Sequence, residues 1–383
     1  MLYGRFISFR DTSDTREQAT TQVTQLERQT SETVETRVHL QSDRIRWAWA
    51  CRLLHPSDYR VDRYDVNDPQ VGDLALVRVD QIGHRNTIVD INNKNMRIYP
   101  DDLFVGVFGN RYATDQMEAE VTGLNDLGLL TSAGMIGTVK SVHHNYGRPT
   151  RVSFQGFITN SDGTRINLKR HAFRPTPHAG RVKNLALVVG TGMNSGKTTA
   201  AARLIKQLHR RGLKVAFCKV TGSVSNRDQD EMRAASAKPV VDFSDYGFPS
   251  TYLSSKEELL DLFNLILTHM ERSDPDLVVM EIADGILQQE TSTLLSDPTV
   301  KNTVKGVVLA ADSALSALYA VDRLKANGYK IIGVTGKITS SPLYVREFSK
   351  NCDVPVGSSA GAGKDLGNLV ASFVFPETAD AKE

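Results

Sequence analysis

The sequence predicts an α/β fold with a doubly wound, mostly parallel sheet in its C-terminal half, preceded by a second, β-rich and barrel-like domain. Three observations predict it. The chain has 383 residues, more than one typical domain accommodates. From Leu185 to Val356, short and nearly continuous apolar runs alternate with longer helical patterns, as expected of parallel strands covered on both faces. The first of those runs leads directly into a glycine-rich loop and an alanine-rich helix.

Composition narrows the class further. Lys+Arg number 46 and Asp+Glu 44, a formal charge of +2, and the hydrophobic fraction is 40%. These values are ordinary for a globular protein and exclude a collagen, a disulfide scaffold, a largely disordered chain and a polybasic tail protein. No apolar run approaches the roughly 18 residues of a membrane helix, and no apolar signal stretch follows Met1-Leu2-Tyr3-Gly4-Arg5. A cytoplasmic protein with no membrane partner is expected. Cys51, Cys218 and Cys352 lie far apart without paired spacing, which suits a reducing compartment and argues against a zinc site.

In chain order, residues 1–40 form a polar segment. Asp11 to Thr36 is dense in Thr, Ser, Gln, Glu and Asp, with little apolar beyond Val23, Leu26 and Val34. Residues 41–178 form the expected β-rich domain. Between Val71 and Phe173, β-branched runs such as Leu74–Val79 and Phe104–Phe108 are broken at Asn92-Asn93, Gly109-Asn110 and Asp162-Gly163, which suggests a small barrel or sandwich. Trp47 and Trp49 alternate beside Arg44 and Arg46 and read as core rather than as a ligand platform. His143, His144, His171 and His178 have no neighbouring cysteine or His-Glu-x-x-His helix, so they read as solvent-facing or barrel-lining.

After Pro175-Thr176-Pro177-His178-Ala179-Gly180 the pattern changes, and residues 179–383 form the α/β domain. Its strands are expected at Leu185–Val189, Val215–Cys218, Leu277–Ile282, Val307–Ala310 and Ile331–Val334, with a weaker sixth at Val354–Val356. Helices are expected at Ala200–Arg211, Leu259–Met270 and Ser313–Ala326. Ser255 and Glu258 stand in capping-box spacing ahead of the second helix.

The loop Gly190-Thr191-Gly192-Met193-Asn194-Ser195-Gly196-Lys197-Thr198-Thr199 carries the chemistry. Phosphate oxygens need close backbone N–H donors, and Gly192 and Gly196 permit that approach by lacking a Cβ. A helix N-terminus adds partial positive charge. Lys197 is placed to reach the β- and γ-phosphates, and Thr198 to put its hydroxyl on Mg²⁺. Met193, Asn194, Ser195 and Thr199 complete the expected nucleotide cradle. Thr191 stands where the usual spacing has a glycine, so the loop counted from Gly190 is one residue longer. A ligand-free glycine turn is the plain alternative.

This lengthened loop resembles that of dethiobiotin synthetase and its relatives, which include the accessory ATPase of molybdopterin-guanine dinucleotide synthesis. The resemblance covers about Asn184 to Leu369 and implies a doubly wound P-loop NTPase sheet. Phe217-Cys218-Lys219-Val220-Thr221-Gly222 resembles that family's Lys-Pro-Val-x-x-Gly segment, with Val220 in place of proline. The resemblance implies that Lys219 points at the γ-phosphate or the substrate. Asp276–Glu281 reads as a strand ending in a carboxylate, the arrangement that holds Mg²⁺ directly or through water. Glu281 matches the synthetase's glutamate, whereas Asp284–Thr291 departs from its pattern and looks more like a neighbouring P-loop family that long lacked an assigned function. A sheet-edge carboxylate paired with a helix lysine is the alternative for Glu281. Ser223–Glu231 is a polar loop that by resemblance supplies a third metal ligand, Asp228 or Asp230; helix capping accounts for acids there equally well.

Guanine recognition would call for Asn-Lys-x-Asp after a late strand. Thr335-Gly336-Lys337-Ile338-Thr339 keeps the lysine and lacks the aspartate, so ATP is preferred over GTP. By resemblance, Lys337 and the Ser358–Gly363 loop lie where the family packs the base. From Gly163 through Arg227 there is no acid, and the bases from Arg165 to Lys183 could follow a nucleic-acid backbone or form a solvated linker. The expected cofactors are therefore ATP and Mg²⁺, with Lys197, Lys219 and Glu281 as the catalytic groups. Three functions fit: an ATPase whose barrel senses a nucleic-acid or protein partner, a small-molecule synthetase or kinase of the dethiobiotin synthetase type, and a nucleotide-dependent homodimeric assembly protein.

Overall fold

The computed structural model describes residues 45–54, 56, 59–175, 182–358 and 364–376. The expected polar segment 1–40, the junction at 176–181 with His178, and the loop at 359–363 lie outside them.

The N-terminal part is built from strands β1 (Ile45–Trp47), β2 (Arg60–Asp62), β3 (Leu74–Gln81), β4 (Thr87–Val89), β5 (Asn95–Arg97), β6 (Leu103–Phe108), β7 (Arg111–Ala113), β8 (Met117–Glu120), β9 (Leu127–Leu129), β10 (Met135–Val142) and β11 (Arg151–Thr159). Pairing runs β6-β3-β11-β9-β10, and β10 pairs back onto β6, so the sheet closes on itself as the expected barrel. Closure removes edges that would otherwise present unpaired backbone groups. Alternation fills it: Leu74, Leu76, Val105 and Val107 face one buried cluster while Ala75, Val77, Phe104 and Phe108 face another. The expected breaks at Asn93, Gly109-Asn110 and Asp162-Gly163 all fall between or after strands. Trp47 and Trp49 are buried core residues, as read.

The C-terminal part holds a parallel sheet of β12 (Leu185–Gly190), β13 (Val215–Lys219), β14 (Val240–Asp242), β15 (Leu277–Glu281), β16 (Gly306–Ala310) and β17 (Ile331–Thr335). Its order is β14-β13-β15-β12-β16-β17, and every pair is parallel. Helices α1 (Lys197–His209), α2 (Asn226–Ala234), α3 (Lys256–Arg272), α4 (Gln289–Ser296), α5 (Pro298–Thr303), α6 (Ala314–Ala326), α7 (Pro342–Asn351) and α8 (Leu366–Val374) cover it. Along β12, Ala186 and Val188 pack with α1, α2 and α8, while Leu187 and Val189 pack with α3, α4 and α6. This is a doubly wound α/β sheet buried on both faces. The chain reverses direction across the sheet at β12, the switch point where such folds place ligands.

Two expectations are corrected. Val354–Val356 adds no strand to this sheet and contributes one bridge, Val356 to Val334. The sixth strand is β14 at the opposite edge, hidden because only Val240 and Val241 are apolar there. Ser223–Glu231 is largely helical, because Ser225 caps α2 by accepting from the Arg227 amide. Among the described residues no helix is long and apolar enough to cross a membrane.

The expected capping box is present: Ser255 accepts from the Glu258 amide, and the Glu258 side chain accepts from the Ser255 amide. Ser255→Ala is expected to lower stability by about 1 kcal/mol in urea unfolding while leaving nucleotide affinity unchanged.

Candidate functional site

Parallel register brings three strand ends together: Val188 lies opposite Glu281, and Lys219 lies opposite Glu281 from the other side. The phosphate loop crosses this edge between β12 and α1. Gly196 caps α1 at φ 101°, a left-handed conformation that favours glycine. Its neighbour across the cleft is Gly336, also left-handed, where an added Cβ would lie 2.3 Å from the Ser195 carbonyl. That contact explains the close docking of the loop after β17, whose Lys337 amide donates to the Ser195 carbonyl at 3.0 Å.

Lys197 is buried with its Nζ 2.8 Å from the Gly192 carbonyl and 3.4 Å from that of Met193. Burial pulls its pKa below the ordinary lysine range, against Glu281 and Asp284. Thr198 Oγ1 donates to Glu281 Oε1 at 3.4 Å. Glu281 is fully buried, and its Oε2 has no hydrogen-bond partner. Lys219 lies between two carboxylates, 2.5 Å from Asp228 and 3.2 Å from Glu281. Burial opposes the Lys219 charge, yet Asp228 and Glu281 together hold its pKa above the lysine range. Burial likewise opposes the Asp228 charge, and Lys219 outweighs it to keep that carboxyl low. Glu281 does pair with a lysine, but the partner is the strand residue Lys219 and not a helix lysine.

The unpartnered Oε2 of Glu281 beside the Thr198 hydroxyl and the Asp228 carboxylate is an oxygen donor set that suits Mg²⁺, which takes one or two carboxylates and completes its shell with water and phosphate. Asp230 is not brought to this point. It accepts from Asn93 at 2.8 Å and lies beside Arg233, so it ties α2 to the barrel's β4–β5 turn. Among the described residues no group of three or more His, Cys, Asp or Glu could hold a metal by itself. His143, His144 and His171 are exposed.

These groups line a cleft of about 780 Å³ that runs from Lys219 and Asp284 past the loop to Lys337, Thr339 and Ser340. Met193, Asn194, Thr198 and Thr199 line it, whereas Ser195 is buried beneath, its Oγ donating to the Gly192 carbonyl at 3.0 Å. Lys337 is exposed at the far end. Sequence reasoning missed the contribution of the barrel. Asn194 at the loop tip donates to Asp115, in the turn between β7 and β8, and Gln116 lines the cleft itself. Arg52 reaches Asp245 at 2.5 Å and Tyr252 reaches Glu118 at 2.9 Å, so the barrel is fastened over the carboxyl edge of the sheet.

The acid-free stretch does not remain a bare cationic stripe. Arg165 pairs with Asp65 and Asp73, Lys169 with Glu258, Lys183 with Asp274 and Arg211 with Asp365. Folding supplies from distant segments the acids that the local sequence lacks.

Lys219→Met is expected to destabilise the fold by about 3–5 kcal/mol, the cost of leaving a buried carboxylate without its partner. In Lys219→Met/Glu281→Met the combined loss should fall short of the sum of the single losses by about 1 kcal/mol or more. Urea unfolding of the four proteins checks this, and simple additivity would contradict the pairing.

No family model and no curated protein matches the sequence. Among solved structures, the chain is similar to the signal recognition particle receptor FtsY of Elizabethkingia anophelis, at 19% identity and TM-score 0.34 over 52% of this chain and 66% of that one. It is similar to the kinase domain of Escherichia coli tyrosine kinase ETK at 19% identity and TM-score 0.30, over 40% of this chain and 66% of that one. It is also similar to chloroplast FtsY of Physcomitrella patens at 15% identity and TM-score 0.34, over 55% and 70%. In the first two the match spans slightly under two thirds of the other chain's length. None of the three is a dethiobiotin synthetase. What stands is the architecture given by strand order and loop geometry: a P-loop-type α/β fold joined to a β-barrel.

Proposed function

We propose that the chain transfers the γ-phosphoryl group of Mg-ATP to a small acceptor held beneath the barrel. The observation that carries this reading is a second cavity, of about 200 Å³, which meets the nucleotide cleft at Lys219, Asp228 and Asp284. A hydrolase needs room for water alone at that point, whereas a transferase needs a compartment for an acceptor.

Chemistry follows from the order of groups along the cleft. Lys197 and the loop amides stabilise charge on the transferring phosphoryl. Thr198, Glu281 and Asp228 would hold Mg²⁺, which when bound neutralises charge on the phosphates. Lys219 lies at the junction, where it faces both the γ-phosphate and the acceptor. Asp284 lines both cavities, and its backbone is pinned because Thr221 and Thr291 bond Ala283 and the Asp284 amide donates to Gln288 at 2.9 Å. An acceptor oxygen bonds to the γ-phosphorus as the bond to the bridging oxygen breaks. ADP leaves, and a hydroxyl acceptor's proton passes to Asp284. ATP is the nucleotide preferred here because the Gly336–Thr339 loop lacks a guanine-reading aspartate.

The second reading is an ATPase governed by the barrel. It is favoured by the Asn194–Asp115 and Asp230–Asn93 bonds, which join the phosphate loop and α2 to barrel turns.

Lys197→Ala is expected to weaken Mg-ATP binding by roughly tenfold or more, the loss of a charge-assisted contact. Isothermal titration measures it, and unchanged affinity would remove the nucleotide site from this loop. Product analysis separates the two readings: phosphate released in step with ADP marks hydrolysis, and ADP without free phosphate marks transfer.

A further inference from the structure

The smaller cavity has a cationic wall that the nucleotide does not use. Arg111 at the start of β7 is 6% exposed, and Arg85 lies in the β3–β4 connection. Both line the smaller cavity, with Gln116, Thr131, Ser132 and Lys219, and neither lines the nucleotide cleft. Each donates to Gln116 Oε1, Arg85 at 2.8 Å and Arg111 at 2.6 Å. Each also has a buried Nε with no hydrogen-bond partner. Among the described residues neither forms an ion pair; Asp284 shares the cavity without reaching either guanidinium. Burial, and then the charge of Arg85, push the Arg111 pKa down to about 10.

Two guanidiniums turned toward one neutral amide oxygen are costly to withdraw from water, the buried Arg111 most of all. The positions are nevertheless firmly built. Arg111 lies opposite Ala119 in the β7–β8 ladder, and Thr150 holds the Arg85 loop by donating to the Arg85 carbonyl and accepting from Gly83 at 2.9 Å. Tyr146 lies under Arg85, 5.9 Å from ring centre to guanidinium. A fixed pair of planar donors, Arg111 buried and Arg85 half-buried, is complementary to a planar anion.

We infer that Arg85 and Arg111 bind a carboxylate of the acceptor, so that the substrate class of this site is a small carboxylic acid. The inference rests on the phosphoryl-transfer reading for the word acceptor, and on the cavity alone for the carboxylate. At about 200 Å³ the compartment is below the roughly 300–1,000 Å³ of a drug-sized pocket. A compact acid fits it and a nucleotide does not. Gln116 lines both cavities and therefore marks the wall between the acid and the phosphates.

The test uses the full chain without nucleotide, titrated with acetate, succinate, glutarate and glutamate, and with inorganic phosphate, at constant ionic strength. Thermal unfolding is the readout. At least one carboxylate should give a saturable stabilisation whose apparent affinity falls roughly tenfold or more in Arg85→Met and Arg111→Met. The exposed control Arg151→Met should match the wild type. Arg111→Lys keeps the charge, loses the planar fork, and should fall between. Mg-ATP titration of each variant, expected within about twofold of wild type, shows that the fold is intact. No saturable carboxylate response, or one equal in the arginine variants, overturns the inference. A response to phosphate alone overturns the carboxylate assignment. If the wild type fails to bind Mg-ATP while the carboxylate response still depends on the arginines, the transfer reading falls and the acid site stands.

Discussion

The ammonium of Lys219, clasped by Asp228 and Glu281, is the interaction on which the site depends. Three secondary-structure elements deliver those groups: the end of β13, the first turn of α2 and the end of β15. A buried lysine and a fully buried glutamate would each be intolerable alone. Together they fix the distance between neighbouring strands and α2, and they leave one carboxylate oxygen of Glu281 without a partner beside the Thr198 hydroxyl. Such pairs contribute little net stability. Their value is positional, since they hold charge fixed in the wall of the cleft beside the phosphate loop.

The barrel completes what the parallel sheet begins. Doubly wound folds present ligands at the carboxyl edge of the sheet, a surface open to solvent unless something covers it. Here the β7–β8 turn supplies Asp115 to the tip of the phosphate loop and Gln116 to the cleft. β7 itself supplies Arg111 to the adjoining cavity. Covering excludes water and strengthens every charge inside. On the proposed reading, nucleotide belongs to one part of the chain and acceptor to the other, with Lys219, which lines both cavities, at the boundary.

Much of the α/β part was legible because its signals are local. Apolar runs at β12, β13, β15, β16 and β17 encode buried parallel strands, and Ser255 with Glu258 encodes a helix start. Gly190–Thr199 announces its loop through glycine spacing alone. β14 was illegible because two apolar residues do not make a period. Of the two acids weighed in α2, Asp228 and Asp230, local sequence had no means to choose. Helical rotation turns the first toward Lys219 and the second toward Asn93. The arginine pair was invisible for a different reason. Arg85 and Arg111 lie 26 positions apart in unremarkable strands and connections, and only barrel closure makes them neighbours. Charge balance in the basic stretch was likewise hidden, since Arg165, Lys169, Lys183 and Arg211 meet acids that lie far along the chain.

The most direct test of the account is a crystal structure of the full chain with Mg²⁺, ADP and fluoroaluminate, a planar mimic of the transferring phosphoryl group. ADP is expected in the phosphate loop, Mg²⁺ at Thr198, Glu281 and Asp228, and the fluoroaluminate beside Lys197 and Lys219 with its open face toward the Arg85–Arg111 cavity. A nucleotide bound elsewhere, or a fluoroaluminate whose open face is closed off from that cavity, would contradict it.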